Sequence, residues 1–209
     1  MAVALGKAVF IDKDGTLIRD VPYNIDPRWL RLTPGAGVAL RRLKNAGYKL
    51  IVITNQPGIA KKLFKESDLL AINEEIQTLL APYGVKMDAF YYCPHGPSDG
   101  CKCRKPSPGL IFRAAEDYGI DLRDSWMIGD ILHDVEAGNR AGCRSIHFDN
   151  GNETEWVMGE CRKPEHTVKG LIEAANLIFP AASGHVESSS GDRRMDSGVY
   201  EEVGLATTK

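Results

Sequence analysis

The sequence predicts an α/β fold: a Rossmann-like, mostly parallel sheet with helices on both faces and no large cap domain. Three observations carry the sheet. Short apolar runs alternate with longer segments whose apolar residues recur at helical spacing. The runs are apolar throughout rather than alternating, as in strands buried on both faces of a parallel sheet. The intervals between them hold about one helix each, too little for a large inserted domain.

The elements follow in chain order. Ala8 to Ile11 is the first strand, closed by Asp12-Lys13-Asp14-Gly15-Thr16. Strand alternation carried past its end would put Asp12 and Asp14 on one side and Lys13 on the other. Asp20 to Thr33 is polar, carries Pro22, Pro27 and Trp29, and reads as an excursion over the top of the site. Pro34-Gly35 opens a helix with Ala36, Ala39, Leu40 and Leu43 on one face, ending near Gly47. Leu50 to Asn55 is the second strand. Ser67 is the expected N-cap of a helix striped by Leu69, Ile72, Ile76, Leu79 and Leu80. Ala89 to Tyr92 is a short third strand. Ser107-Pro108 reads as N-cap and first residue of the helix through Leu110, Ile111, Ala114, Ala115 and Tyr118. Then come a strand at Ser125 to Asp130, a helix at Leu132 to Ala141, and a strand at Ser145 to Phe148. An extended piece at Thr167-Val168 and a helix from Leu171 to Phe179 complete the pattern.

A chain of 209 residues suits one domain, placed at 1–180. Segment 181–209 is rich in Ser, Gly and charge without periodicity, so a disordered tail is expected there. Hydrophobic residues at 43% and charged residues at 26% suit a soluble globular protein. A net charge of −2 without a basic run speaks against a nucleic-acid partner. No apolar stretch approaches the ~20 residues of a membrane span. Met1 to Gly6 is too short for the apolar region of a signal peptide. Five cysteines, three of them between Cys93 and Cys103, argue for a metal site in a reducing compartment rather than a disulfide framework. A cytoplasmic protein, favoured as a monomer, is expected.

Polar residues recur where the apolar runs stop. Asp12 and Asp14 follow the first, Thr54 and Asn55 end the second, and Asp130 with Asp134 follows the fourth. Arg104-Lys105 falls between them, just before a helix N-terminus. In a parallel sheet these carboxyl ends converge, at the place where open α/β sheets keep their ligands. Taken singly, Asp and Gly are ordinary turn formers, and acids at a helix start suit its dipole. Together, acids with oxygen ligands select a hard cation such as Mg²⁺, and a lysine with a hydroxyl suits phosphoryl oxygens. The set reads as a phosphoryl-transfer site, and without a large cap it suits either a small phosphosugar closed over by loops or the end of a larger molecule.

A second constellation is Cys93-Pro94-His95 followed by Cys101-Lys102-Cys103. A Cys₃His set closes a tetrahedral zinc site with no open position, hence a structural one, although each pair is separated by one residue rather than the usual two; a redox or incidental Cys-x-Cys is the alternative. Cys103 runs directly into Arg104-Lys105, so zinc would pin the loop that delivers the lysine. His133 and His147 have no identifiable partner in the sequence and are given no role. Cys143 and Cys161 read as ordinary thiols.

Asp12-x-Asp14-Gly15-Thr16, Thr54-Asn55, Lys105 and Gly129-Asp130-x-x-x-Asp134 resemble the four motifs of haloacid dehalogenase-like phosphohydrolases. The resemblance implies that Asp12 is the nucleophile and forms an aspartyl-phosphate. It implies that Asp14 is the general acid and then base, and that Thr54 and Lys105 hold the transferring oxygens. Mg²⁺ would sit on Asp12, the carbonyl of Asp14 and Asp130, with Asp134 orienting metal or lysine. Tyr92-Cys93-Pro94-His95 and Cys101-x-Cys103-Arg104-Lys105-Pro106-x-Pro108-Gly109, with Thr54-Asn55-Gln56-x-Gly58-Ile59-Ala60, resemble the heptose-bisphosphate phosphatase branch. Histidinol-phosphatase domains share its zinc loop. That branch implies a sugar-phosphate pocket built from Asp20, Tyr23, Thr54, Asn55, Gln56, Arg104 and Lys105. Heptose phosphatases often place a lysine after the last-motif Asp, where this chain has Ile131. Histidinol phosphate is the alternative substrate, and a zinc-stabilised binding module without catalysis the alternative class.

Overall fold

The computed structural model describes residues 5–180. The tail expected at 181–209 lies outside them. The strands are β1 (Ala8–Ile11), β2 (Lys49–Asn55), β3 (Ala89–Cys93), β4 (Trp126–Gly129), β5 (Arg144–Phe148) and β6 (His166–Val168). The α-helices are α1 (Ala36–Asn45), α2 (Glu66–Leu80), α3 (Gly109–Tyr118), α4 (Leu132–Ala141) and α5 (Leu171–Ile178). The strands form one sheet in the order β3-β2-β1-β4-β5-β6, with every neighbouring pair parallel. The chain steps outward from β1 to β2 and β3, then crosses back to lay β4 on the other side of β1. The ends of β1 and β4 therefore flank the switch point, where an open sheet leaves a crevice.

Continuous apolar strands are what this arrangement needs, because β1, β2 and β4 each feed two cores. Val9, Ile11, Leu50, Val52, Trp126 and Ile128 face one side, with Leu40 of α1, Ile76 of α2 and Ala174 of α5. Ala8, Phe10, Ile51, Ile53 and Met127 face the other, with Ile111 of α3 and Ala137 of α4. Between β1 and α1 the excursion contains only a 3-10 turn at Pro27–Trp29, so no cap domain interrupts the described residues.

Three local expectations are corrected. Helix α2 starts ahead of Ser67, and Lys65 occupies the cap position. Its N–H donates to the Asp68 carboxylate at 2.8 Å, so an acid one turn in does the capping. Helix α3 starts at Gly109, with Pro108 at the cap and no side-chain capping bond from Ser107. Lys13 does not point away from the acids: its ammonium donates to Asp14 Oδ1 at 2.9 Å. Strand alternation ends with β1 at Ile11, and the chain beyond it turns, Leu17 N–H reaching back to the Asp12 carbonyl at 3.1 Å.

Candidate active site

The turn after β1 places Asp12 and Asp14 at the switch point. Asp12 N–H donates to the Ile128 carbonyl at 2.9 Å, which ties the turn to β4. Gly15 sits at φ +85°, and a Cβ there would lie 2.1 Å from Asp130 Oδ2. Only glycine lets the turn approach Asp130 this closely. Thr16 Oγ1 then donates to Asp130 Oδ1 at 2.9 Å. Gly129 has the same function on the other strand. A Cβ there would fall 2.1 Å from Asp134 Cβ, so its absence lets the first turn of α4 bring Asp134 back over the sheet.

Lys105 arrives from the loop before α3 and is almost fully buried. Its ammonium contacts the carboxylate of Asp12, lies 2.5 Å from Asp134 Oδ1, and donates to the Ile53 carbonyl at 2.8 Å. Burial alone would lower the lysine pKa, but the charges of Asp12 and Asp134 outweigh it and hold it above its ordinary value. Asn55, at the end of β2, fixes the lysine's backbone. Its amide donates to the Lys105 carbonyl at 3.1 Å and its oxygen accepts the Lys105 N–H at 3.0 Å.

The remaining acids are crowded. Burial pushes Asp12 well above the usual carboxylate range, against the pull of Lys105 and helped by Asp134, Asp130 and Asp14. Asp130 is raised by burial and by Asp134, opposed by donors from Asn152 and Thr16. Ligand atoms of Asp12, Asp130 and Asp134 lie within 4.8 Å of one another. Three carboxylates around one ammonium leave two negative charges unbalanced. Asp134 is fully buried and also accepts the Ile131 N–H at 3.3 Å, whereas Asp12 and Asp130 both open onto the cavity and are the pair that fits a divalent cation. Asp14 stands at the mouth, its Oδ2 accepting from Gln56 Nε2 at 2.8 Å; the same amide donates to Thr54 Oγ1 at 3.0 Å.

Asp12, Asp14, Asp20, Thr54, Asn55, Lys105, Asp130 and Asn152 share one cavity of about 240 Å³. Tyr23, Gln56 and Asp20 line an adjoining space of about 220 Å³, and Arg104 lines another of about 420 Å³. The sequence had marked all of these except Asn152. Its amide donates to Asp130 Oδ2 at 2.6 Å, while Asn150 donates to the Gly15 carbonyl at 2.6 Å. Asn150-Gly151-Asn152 begins two residues past the β5 run, so the rule that found the other strand ends would have found it. His133 was also passed over, and it lines the cavity of Arg104. His147 is buried, with Nε2 3.1 Å from the Asp130 carbonyl.

The cysteine loop closes on itself at the end of β3. Cys93 Sγ lies 3.6 Å from Cys101 Sγ and 3.2 Å from Cys103 Sγ; Cys101 and Cys103 are 3.4 Å apart. His95 Nδ1 lies 3.2 Å from Cys103 Sγ and 3.6 Å from Cys93 Sγ. A tetrahedral ion with bonds of about 2.3 Å sets its ligands about 3.8 Å apart, and the four atoms, all within 4.8 Å of one another, are close enough to share one. All five cysteines are free thiols.

A family model described as HAD-hydrolase-like matches residues 102–174. A curated protein from Pasteurella multocida, named D-glycero-beta-D-manno-heptose-1,7-bisphosphate 7-phosphatase, is 40% identical over 180 residues, 79% of this chain and 98% of its own length. The chain belongs to the haloacid dehalogenase-like hydrolases. A second relative of that name, from Haemophilus ducreyi, is 40% identical over 179 residues, covering 82% of this chain and 98% of its own. Among solved structures, a D,D-heptose 1,7-bisphosphate phosphatase from B. bronchiseptica complexed with magnesium and phosphate matches with TM-score 0.71 and 31% identity. That match covers 82% of this chain and 97% of the other. No described helix is long and apolar enough to cross a membrane.

Proposed function

We propose that this hydrolase is a magnesium-dependent phosphatase converting D-glycero-D-manno-heptose 1,7-bisphosphate to the 1-phosphate through an aspartyl-phosphate on Asp12. One observation carries the reading. The Asp12 carboxylate is held at a strand end by buried Lys105 and opens, with Asp14, Thr54 and Asp130, onto a single cavity. The names of the relatives and of the B. bronchiseptica structure supply the substrate class and the metal.

The residues divide the work. An Asp12 oxygen attacks the 7-phosphorus in line, while Lys105 and the Thr54 hydroxyl hold the transferring oxygens as charge develops on them. Asp14 gives its proton to the departing sugar oxygen, then takes one from the water that attacks the phosphorus on Asp12. Gln56 and Lys13 hold the two oxygens of Asp14 in place for both transfers. Asp134 keeps Lys105 protonated and aimed. Asp12, Asp130 and the Asp14 carbonyl would hold Mg²⁺, which when bound neutralises the carboxylates and the phosphate together. Cys93, His95, Cys101 and Cys103 would hold Zn²⁺ and fix the loop carrying Arg104 and Lys105. Asp20, Tyr23, Gln56 and Arg104 contact the sugar, and Asn55 sets the height of Lys105 beneath it. A monomer acting in the cytoplasm, where the thiols stay reduced, completes the proposal.

The test is phosphate release from the heptose bisphosphate with Mg²⁺ and with EDTA. Activity disappears with EDTA, and Asp12→Asn lowers kcat by at least about a thousandfold, the scale for removing a nucleophile. Turnover surviving Asp12→Asn would falsify the aspartyl-phosphate route. A higher kcat/KM for histidinol phosphate would keep the chemistry and replace the substrate.

A further inference from the structure

The reaction cavity is flanked by two others of opposite character. The one of about 220 Å³ shares Asp14, Asp20 and Asn55 with it and is also lined by Lys13, Tyr23 and Gln56. Its lysine is already paired with Asp14 at 2.9 Å. Two carboxylates against one committed ammonium make this a place for hydroxyl groups and a poor one for a second phosphate. The cavity of about 420 Å³ shares Lys105 with the reaction cavity, and its other polar side chains include Arg104, Ser107 and His133. No carboxylate lines it.

Resting on the bisphosphate reading above, we infer that His133 is a specificity-determining residue: it and Arg104 bind the phosphate that is not hydrolysed. Arg104 is steadied from behind, its guanidinium donating to the His95 carbonyl at 3.4 Å inside the cysteine loop. This leaves its remaining N–H groups for an anion; an arginine fork suits phosphate. His133 is placed by its neighbours. It sits in the first turn of α4 between Leu132 and Asp134, both buried, which anchors its backbone while the imidazole stays half-buried. An imidazole offers a ring N–H to a phosphate oxygen. Glu153 directs its oxygens to the backbone, accepting the N–H groups of Leu132 at 2.7 Å and Glu155 at 2.9 Å. Ile131 takes the position after Asp130 and lines the reaction cavity without a charge. The next polar side chain along, His133, opens instead onto the neighbouring cavity of Arg104.

The experiment compares kcat/KM for the heptose 1,7-bisphosphate and for the heptose 7-phosphate, which lacks the distal group, with the full chain and Mg²⁺. His133→Ala is expected to cut the bisphosphate-to-monophosphate ratio about tenfold, the loss of one hydrogen bond to a charged group, chiefly through KM. His133→Gln, which keeps a donor, recovers part of the ratio, and Arg104→Gln lowers it like His133→Ala. An unchanged ratio in His133→Ala and His133→Gln, with the wild type still preferring the bisphosphate, overturns the role of His133 and spares the substrate reading. A wild type that shows no preference between the two sugars, or hydrolyses neither, overturns both.

Discussion

Lys105 is caught between two carboxylates, which determines what its loss does. Asp134 is fully buried and Asp12 nearly so. In Lys105→Met both would keep their burial and lose their partner. Breaking a buried pair this way costs about 3 to 5 kcal/mol, far more than the pair itself contributes. Urea denaturation in EDTA is expected to show a loss of that size, and a midpoint within error of wild type would rule out the ion-paired arrangement. Asn152 acts more quietly. Its amide holds Asp130 Oδ2 at 2.6 Å, so Asn152→Ala frees one oxygen of the carboxylate proposed to hold Mg²⁺. Mg²⁺ dependence of kcat should shift to about tenfold higher concentration, as for other lost supports of metal ligands. Identical Mg²⁺ curves for the two proteins would refute that role. Asp12, Thr54, Asp130 and Asp134 were legible because each stands at or just after the end of an apolar run. Asn152, just beyond the end of β5, was open to the same rule and was passed over, and Lys13 was misplaced because alternation was carried past the end of β1.

The elements themselves were nearly all readable, since continuous apolar runs and helical stripes are imposed by a sheet covered on both faces. The helix starts were not. Ser67 and Ser107 look like caps by residue type, but Asp68 reaches back to the Lys65 N–H and α3 begins without a side-chain cap. Capping depends on which rotamer the fold permits, and that is tertiary information. The loop from Cys93 to Arg104 is the element whose order depends most on something outside its own packing. It contains Gly96, Pro97 and Gly100, and apart from the buried Cys93 it is half-buried or exposed, so little apolar burial holds it. Zinc would join the end of β3 to the approach to α3 and so hold Lys105 in register. Chelating zinc from the purified protein is therefore expected to cost about 2 to 3 kcal/mol, a fall in Tm of roughly 5 to 10 °C. Activity should fall with it and return on adding Zn²⁺ back. Protein that is purified without zinc, or that keeps its Tm after chelation, would contradict this.

At the scale of the whole molecule, two cores and six parallel strands converge on one small region where negative charge exceeds positive. The fold tolerates this because a cation or protons can make up the difference, and the two compete. Asp12 and Asp130 both have pKa values raised by burial, so the folded protein binds protons more tightly there than the unfolded chain does. Stability of the metal-free protein is then fully present below the ordinary carboxylate value, about pH 4, and is lost as pH rises through the raised values. Lys105 opposes none of this below about pH 10, because its own raised pKa keeps it charged in both states over that range. Mg²⁺ binds the deprotonated carboxylates, so its stabilisation must grow with pH over the same window. At a Mg²⁺ concentration a hundred times Kd the gain is about 2.7 kcal/mol, or roughly 5 to 10 °C in Tm for a chain of this size. Thermal scans at pH 5 and pH 8, with EDTA and with Mg²⁺, should show the metal-free Tm lower at pH 8 and the Mg²⁺ increment larger there. Asp12→Asn should flatten both trends, because it removes the most strongly perturbed acid while keeping its shape. Equal Mg²⁺ increments at the two pH values in the wild type would mean that the cation does not sit on Asp12 and Asp130.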